Sequence, residues 1–338
     1  MVLPHTYVAA LLLTVVSMLC WGSWANTFKL AGKWRFELFY FDYSFGVLLA
    51  ATIYALTFGD LGADGFGFTD DLAHAGKTQI GFGGLGGIVF NLANMLLVAA
   101  ISVAGLAVAF PVGIGMALVI GVVWNYALKP QGNPLLLFSG AAIIVGAIIV
   151  DALAYRAHAA RGSQAGARKG GAKGILLSLV SGVLMGSFFP LVELGKAGPL
   201  GLGPYAIGFV FAIGVFLSTF GFNLIFMNMP VEGPPVRISQ YFKGTFGQHA
   251  LGIVGGMIWA TGAIANFAAA SAPESVQVGP AISYAIGQGA TMVSALWGLL
   301  VWKEFAGADA RVKMLITVML LLFAVGLGLV SVAPLFAR

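Results

Sequence analysis

Residues 312–335 read VKMLITVMLLLFAVGLGLVSVAPL, an unbroken apolar run in which Lys313 is the single charged side chain. Because a helix needs roughly 20 consecutive apolar residues to cross the hydrocarbon core of a bilayer, this run predicts a transmembrane helix. Nine further apolar runs, separated by short charged or Gly/Pro stretches, fill most of the remaining chain. They predict spans at 7–29, 37–59, 80–101, 105–128, 134–155, 174–195, 203–229, 247–271 and 276–301.

The composition of the chain agrees with ten spans. Of its 338 residues, 59% are hydrophobic and 9% are charged, whereas soluble domains carry about 25% charged residues. The 48 glycines fit a bundle of membrane helices, because glycine allows helices to approach closely. Membrane-spanning strands would need segments of about ten residues with alternating polarity. The sequence lacks them and therefore predicts an all-α polytopic membrane protein.

Several functional classes are excluded by what the sequence lacks. One cysteine cannot form an intramolecular disulfide, and four scattered histidines provide no metal-ligand cluster. The chain contains no Gly-x4-Gly-Lys-Ser/Thr loop, which argues against an ATP-driven pump. Its net charge of +5 is spread over short loops, so nucleic acid is not an expected partner. We therefore expect neither an enzyme nor a bound cofactor or metal.

The basic residues predict the orientation of the chain. Thirteen of the 17 Lys and Arg residues lie in odd-numbered loops, while four lie in even-numbered loops or at the C-terminus. Because short cytoplasmic loops carry the excess of Lys and Arg, the odd loops should be cytoplasmic and both termini outside. The expected location is the cell (inner) membrane.

Two matches between the halves of the chain indicate an internal repeat. Gly22-Ser23-Trp24 in the first half returns as Gly186-Ser187-Phe188 in the second, and Gly86-Gly87 returns as Gly255-Gly256. Five spans per copy is an odd number, which forces the second copy into the membrane inverted. Inverted repeats are typical of secondary transporters that hold substrate near the midplane. The predicted units are a first repeat, a basic cytoplasmic linker and a second repeat, at 1–155, 156–173 and 174–338.

Three stretches carry a resemblance to a known family. Trp21-Gly22-Ser23-Trp24 leads to Phe41-Asp42-Tyr43-Ser44, and the later stretch 294–305 reads SALWGLLVWKEF. The succession resembles the ureide permeases and their bacterial glucose/ribose-porter relatives, within the drug/metabolite transporter superfamily. The resemblance implies ten helices and uptake of a small polar solute, coupled to protons where coupling is known. The long central loop of ureide permeases is replaced here by a short basic linker.

Carboxylates within the predicted spans are candidates for proton coupling. Asp42 lies inside the second span, and Glu274 lies beside Pro273 near the start of the ninth. Ionisable groups at membrane depth are costly and usually face a cavity or the bundle interior. The alternative for Asp42 is an interfacial carboxylate paired with Lys33 or Arg35. The resemblance favours a functional role, because the family motif also has an acid here.

Amide and aromatic side chains on shared helix faces are candidates for solute binding. Spacings of three, four and seven residues align them on one face of a helix, and rings of this kind stack on planar or sugar rings. Asparagines also bond helix to helix, and tryptophans also pack, so structural roles remain open. The candidates are Trp21, Trp24, Asn91, Asn94, Trp259, Asn266, Gln277, Tyr284 and Gln288.

Pro111 and Pro280 occupy repeat-equivalent positions and are candidate gate hinges or static bends, since proline removes a helical hydrogen bond. Together these features favour a secondary transporter that imports a small polar solute, a sugar or a ureide- or nucleobase-like compound, by proton symport. The alternatives are an exporter of drugs or amphipathic metabolites and a non-transporting membrane scaffold. The partners expected are the solute, the proton and the lipid bilayer.

The orientation is testable with reporter fusions. A reporter active in the cytoplasm, fused after residue 165, should be active, and the same reporter fused after residue 338 should be silent. A reporter active outside should give the opposite result, because the basic loops are retained in the cytoplasm. The reverse pattern with both reporters would show that the orientation is wrong.

Overall fold

The structure is a computed structural model that describes residues 1–104, 106–160, 172–230, 233–273, 275–276 and 278–336. Within these residues the chain is helical and contains no strand. The α-helices are α1 (Tyr7–Ser23), α2 (Ala25–Leu30), α3 (Phe36–Leu56), α4 (Phe68–His74), α5 (Lys77–Ala104), α6 (Leu106–Leu128), α7 (Pro134–Ala159), α8 (Ala172–Lys196), α9 (Pro204–Asn228), α10 (Phe246–Ala270), α11 (Pro280–Gly287), α12 (Ala290–Leu296) and α13 (Ala310–Val332).

The predicted spans correspond to these helices. In the described chain, nine helical segments are long and apolar enough to cross a membrane, and Val112–Leu128 of α6 is a shorter apolar helix. The first segment joins α1 and α2, and the eighth joins α11, α12 and a π-helical turn at Trp297–Val301. The prediction of an all-helical polytopic membrane protein is confirmed.

The ninth predicted span differs from a continuous helix. Pro280 is the first residue of α11, where a proline removes no intrahelical hydrogen bond. It therefore starts a helix instead of kinking one, which corrects the predicted bend. The interruption lies at Gln288 and Gly289, between α11 and α12. Pro111 lies in the second turn of α6.

The ends of the helices define two sides of the bundle. The segments 31–35, 233–245 and 302–309 lie together at one end, which we call the basic side. The N-terminus, the end of α13 and the segments 57–76, 129–133, 197–203 and 271–273 lie at the opposite side. There the terminal ammonium of Met1 donates to the Asp64 carbonyl at 2.8 Å, and Asp71 Oδ2 accepts from the Gly203 N–H at 2.8 Å. Burial raises the pKa of the Asp71 carboxyl.

The contacts that join helices of the first half of the chain to helices of the second half occur in matching pairs. The helix α3 packs on α10, and α9 packs on α5; likewise α5 packs on α8, and α10 packs on α1. The contact of α6 with α8 has its counterpart in that of α12 with α1, while α7 packs on α13 and α3 on α9. Under the predicted repeat, the first three contacts each have a partner contact. The last two each join a helix to its own counterpart in the other half.

Glycines bring two of these pairs into backbone contact. A Cβ at Gly87 in α5 would overlap the carbonyl oxygen of Phe211 in α9. A Cβ at Gly256 in α10 would likewise overlap the carbonyl oxygen of Tyr43 in α3. At both positions the added Cβ would lie far inside the van der Waals distance from the carbonyl oxygen. Any residue larger than glycine would therefore push the two helices apart. Gly87 and Gly256 are themselves repeat-equivalent.

A matched pair of substitutions in α5 tests this packing. Gly87→Ala should destabilise the protein by about 1–3 kcal/mol, because the added methyl overpacks a backbone contact. Gly81→Ala is the control, since a Cβ there meets no atom within 4 Å. Thermal unfolding of the two purified variants in one detergent measures the difference. Equal unfolding midpoints would contradict the contact.

Candidate functional site

A layer of aromatic rings crosses the middle of the bundle. Trp21 of α1 stacks on Trp259 of α10 at 5.9 Å between ring centroids, and Trp259 stacks on Phe90 of α5 at 4.1 Å. Phe90 meets Phe188 of α8 edge to face at 5.4 Å, and Phe211 of α9 stacks on Trp259 at 5.8 Å. Five helices therefore contribute one ring each, in the stacked and edge-to-face geometries that aromatic pairs prefer.

A cavity of about 340 Å³ lies on the basic side of this layer. Its walls follow α1 and α2, α5 and α12 from the layer toward the basic side. This volume lies within the range of sites that enclose a small molecule. The lining residues are Trp21, Gly22, Trp24, Ala25, Phe28, Phe36, Phe90, Asn94, Leu97, Val98, Ile101, Ile114, Met185, Phe188, Trp259, Gln288, Ala290, Thr291 and Ser294.

The polar groups in this mostly apolar wall are few. Asn94 Nδ2 donates to the hydroxyl of Tyr40 at 3.1 Å, which orients the amide. Thr291 donates its hydroxyl proton to the backbone carbonyl of Gln288 at 3.1 Å. Among the described residues, no hydrogen bond engages the Gln288 side-chain amide or Asn94 Oδ1. The wall therefore offers amide donors and acceptors to a solute, beside flat aromatic faces.

The structure brings together five of the predicted binding residues. Trp21, Trp24, Asn94, Trp259 and Gln288 all line the cavity. They come from helical segments that are distant in sequence, and their polar and aromatic groups face one space. The indole Nε1 of Trp21 is buried without a hydrogen-bond partner in the described chain.

Three other predicted residues bond one helix to another instead. Asn91 Nδ2 donates to the Ser218 hydroxyl of α9 at 2.8 Å, and Asn266 Nδ2 donates to the Ser17 hydroxyl of α1 at 3.0 Å. The Tyr284 hydroxyl donates toward the carbonyls of α6 and α8. Gln288 caps α11 one turn after Tyr284, with its N–H donating to the Tyr284 carbonyl at 3.0 Å, but of the two residues Gln288 lines the cavity and Tyr284 does not. Gln277 and Glu274 lie outside the described residues.

Asp42 lies outside the cavity wall, in a separate polar cluster on the basic side. Its carboxylate accepts from the Tyr241 hydroxyl at 2.5 Å and from His249 Nδ1 at 2.7 Å. Arg35 pairs with Glu37 at 2.6 Å, so the contacts of Asp42 differ from the predicted pairing with Lys33 or Arg35. The carboxylate is nonetheless buried, as expected for a group inside a span.

Sequence analysis missed both partners of Asp42. Tyr241 lies in a 3-10 turn at Ile238–Lys243 that has no apolar periodicity. His249 belongs to the first turn of α10, which begins at a capping box formed by Thr245 and Gln248. That Thr-x-x-Gln pattern is visible in the sequence, and it predicts that His249 lies in the first turn of the helix.

A second missed cluster joins three segments on the basic side. Lys29 Nζ lies 2.5 Å from Glu304 Oε1, and the Tyr155 hydroxyl donates to Glu304 Oε2 at 2.7 Å. Burial alone would raise the pKa of the Glu304 carboxyl. The hydrogen bonds from Lys29 and Tyr155 and the charge of Lys29 outweigh it, so this pKa lies below its ordinary value. The cluster ties α2 to α7 and to the end of the eighth segment.

On the opposite side of the aromatic layer, a second group of rings packs together in place of a cavity. Phe189 of α8 packs on Phe267 of α10 and on Tyr284 of α11, each at 5.5 Å between centroids. A separate apolar cavity of about 500 Å³ lies farther out on this side, between α1, α3 and α10. The hydroxyls of Tyr54 and Thr261, 3.1 Å apart, lie in its wall.

Known proteins resemble this chain over most of its length. Ureide permease 1 of Arabidopsis thaliana is 24% identical over 353 residues, covering 86% of this chain and 87% of the relative. Ureide permease 2 of the same plant is 24% identical over 388 residues, covering 94% of each chain. A solved crystal structure shares the fold with a TM-score of 0.56 and 18% identity, covering 95% of this chain and 97% of the other.

The family profile described as Ureide permease matches residues 39–173 and 172–333. Members of this family are transporters and not enzymes. The two matched stretches run from α3 to α13 and include most of the cavity wall, while α1 and α2 lie before the first stretch. The chain therefore belongs to the ureide permease family.

Proposed function

We propose that this protein is a secondary transporter of a small, planar, polar solute of the ureide or nucleobase class, and that the cavity on the basic side binds it. The observation that carries the proposal is the juxtaposition of the amides of Asn94 and Gln288 with the rings of Trp21, Trp24 and Trp259. Amides match the N–H and C=O edges of such a solute, and the rings match its faces. The names of ureide permeases 1 and 2 specify a ureide.

The small number of polar groups in the apolar cavity wall would also make the cavity selective among solutes. A solute that lacks a matching edge would leave a buried amide without a hydrogen bond, which costs about 1–3 kcal/mol. A sugar also offers hydroxyls to the amides and a face to the rings. The relatives favour a ureide over a sugar, and a binding screen separates the two.

Transport would proceed by alternating access between two inverted halves, residues 1–155 and 174–338. The recurrence of helix pairs in the two halves supports this arrangement. Ala25 and Val98 line the open cavity, and the two registers of the sequence repeat relate them to Phe189 and Phe267. These two phenylalanines pack together on the closed side. Exchange of the open and closed arrangements would carry the cavity from the basic side to the opposite side.

The interruption at Gln288 and Gly289 is suited to act in this exchange. It lies between α11, which contributes Tyr284 to the closed side, and α12, which lines the open cavity. Pro111 in α6, which the predicted repeat relates to Pro280, remains a candidate hinge. We place the basic side in the cytoplasm of a cell (inner) membrane, following the distribution of Lys and Arg.

Proton symport through Asp42 completes the proposal. A lone buried carboxylate in a transmembrane segment is expensive to keep charged, so a proton taken up by the carboxylate or by a side chain paired with it would lower the cost of moving the loaded carrier. Asp42 meets this requirement because it is buried at the interface of α3 and α10. Glu274, also a candidate from the sequence, is the next carboxylate to test.

Substitution of the two cavity amides tests the binding site. Asn94→Ala and Gln288→Ala should each weaken binding by roughly 1–3 kcal/mol, because a polar group of the solute loses its partner. Calorimetric titration of the purified variants with allantoin, uracil and glucose as probes measures the change. Asn228→Ala is the control, since its amide bonds an exposed carbonyl at the end of α9. Unchanged affinity in both cavity variants would rule out this placement.

The coupling role of Asp42 is tested in proteoliposomes. Asp42→Asn should abolish accumulation of the bound probe under a pH gradient, because an amide cannot take up a proton. Counterflow exchange should persist, since it needs the cavity alone. Asp70→Asn, in the short helix α4 on the opposite side, is the control. Accumulation by Asp42→Asn at the control level would show that Asp42 does not couple, and loss of both activities would assign it to the fold or to solute binding.

A further inference from the structure

Side chains from three segments form a hydrogen-bonded group on the basic side, in which two of them bond the carboxylate of the third. Asp42 comes from α3, His249 from the first turn of α10, and Tyr241 from the 3-10 turn at Ile238–Lys243. Tyr241 donates to Oδ1 of Asp42 at 2.5 Å, and His249 Nδ1 approaches Oδ2 at 2.7 Å. Because an ionised carboxylate only accepts, Nδ1 carries a hydrogen, and Nε2 is the nitrogen free to take a proton.

The three members differ in access to water. The Asp42 side chain is 6% exposed, whereas the His249 side chain is 24% exposed. Trp34 lies edge to face with the imidazole at 5.5 Å, and the Tyr241 ring lies at 4.7 Å. Of this pair, His249 is therefore the side chain that a proton from the aqueous phase can reach.

The charged surroundings of His249 are simple. Asp42 faces it from α3, and Tyr241 faces it from the 3-10 turn. Among the basic groups on this side, Arg35 pairs with Glu37 and Lys29 of α2 pairs with Glu304, while Lys33 and Lys243 in the adjoining segments are exposed. Burial and the Asp42 carboxylate raise the pKa of the Tyr241 phenol above its ordinary value, so Tyr241 stays a neutral donor.

We propose that His249 is the group that exchanges the coupling proton with water on the basic side, and that Asp42 holds the imidazolium so formed. The inference rests on the proposed proton coupling. In the step, a hydronium ion transfers its proton to the Nε2 lone pair, so that one O–H bond breaks, one N–H bond forms and a water molecule is released. The net charge of the group changes from −1 to zero, and release of the proton reverses the change. A neutral pair is less costly to enclose in a low-dielectric bundle than a lone carboxylate.

The helices that hold this group also build the cavity. Tyr40 of α3 accepts a hydrogen bond from the cavity residue Asn94, and Trp259 of α10 lies in the cavity wall. Between them, a Cβ at Gly252 of α10 would lie 2.5 Å from the Cβ of Asp42. A change in charge at this close contact between α3 and α10 thus acts on the two helices that carry cavity residues or their partners.

Fluorescence of Trp34 detects the proton on His249 without any substrate. The difference between the wild-type protein and Trp34→Phe in nanodiscs isolates the emission of Trp34. A protonated imidazole quenches a neighbouring indole, so this emission should fall in a step as pH is lowered and His249 takes up its proton. His249→Asn keeps an amide N–H at the position of Nδ1 and should lose the step. His74→Asn, in α4 on the opposite side, should keep it.

Transport measurements complete the test. His249→Asn should lose accumulation of allantoin under a pH gradient and retain counterflow, and His249→Gln serves as the second variant if His249→Asn does not fold. A fluorescence step that persists in both variants, or accumulation at the wild-type level, overturns the inference. If the wild-type protein accumulates no probe, the proposed function fails, while the fluorescence step still decides whether His249 takes up the proton.

Discussion

The rest of this structure depends on one constraint, which is that every backbone polar group inside a bilayer needs a partner within the protein. Hydrocarbon offers no hydrogen bonds, so the chain crosses the membrane as helices that satisfy their own backbones. Lipid tails are also as apolar as leucine, and helices therefore associate through close packing of small residues. Gly87 against Phe211 and Gly256 against Tyr43 bring α5 to α9 and α3 to α10 in this way. The aromatic layer and the cavity lie between the helices so joined.

The same constraint divides the polar side chains into two groups. Asn91, Asn266 and Tyr284 donate hydrogen bonds that join helices, which offsets part of the cost of burying them. Asn94 and Gln288 face the cavity, where a solute can complete their hydrogen bonds. Amides with hydrogen-bonding atoms unused in the described chain therefore stand in the cavity wall, whereas the amides between helices donate their N–H groups to neighbouring helices.

Most charged side chains lie near the two ends of the bundle, which are the basic side and the opposite side. Lys29 and Glu304 join α2 to the end of the eighth segment, and the Asp42 group joins α3 to α10. Both clusters lie on the same side of the aromatic layer as the cavity. The proposed coupling between a proton and a solute would therefore act between neighbouring helices.

The amino-acid sequence by itself determined the helical class, the approximate position of each span and the family. These properties depend on the length and hydropathy of local segments and on short motifs such as the one that contains Asp42. It also identified five residues of the cavity wall. The tertiary structure alone decided which polar groups face the cavity, because that depends on the rotation of each helix and on its neighbours. Asn91 and Asn94 lie on one face of one helix, yet one bonds α9 and the other lines the cavity. The pairing of Asp42 with His249 joins two helices that are far apart in the chain, a contact that no local pattern encodes.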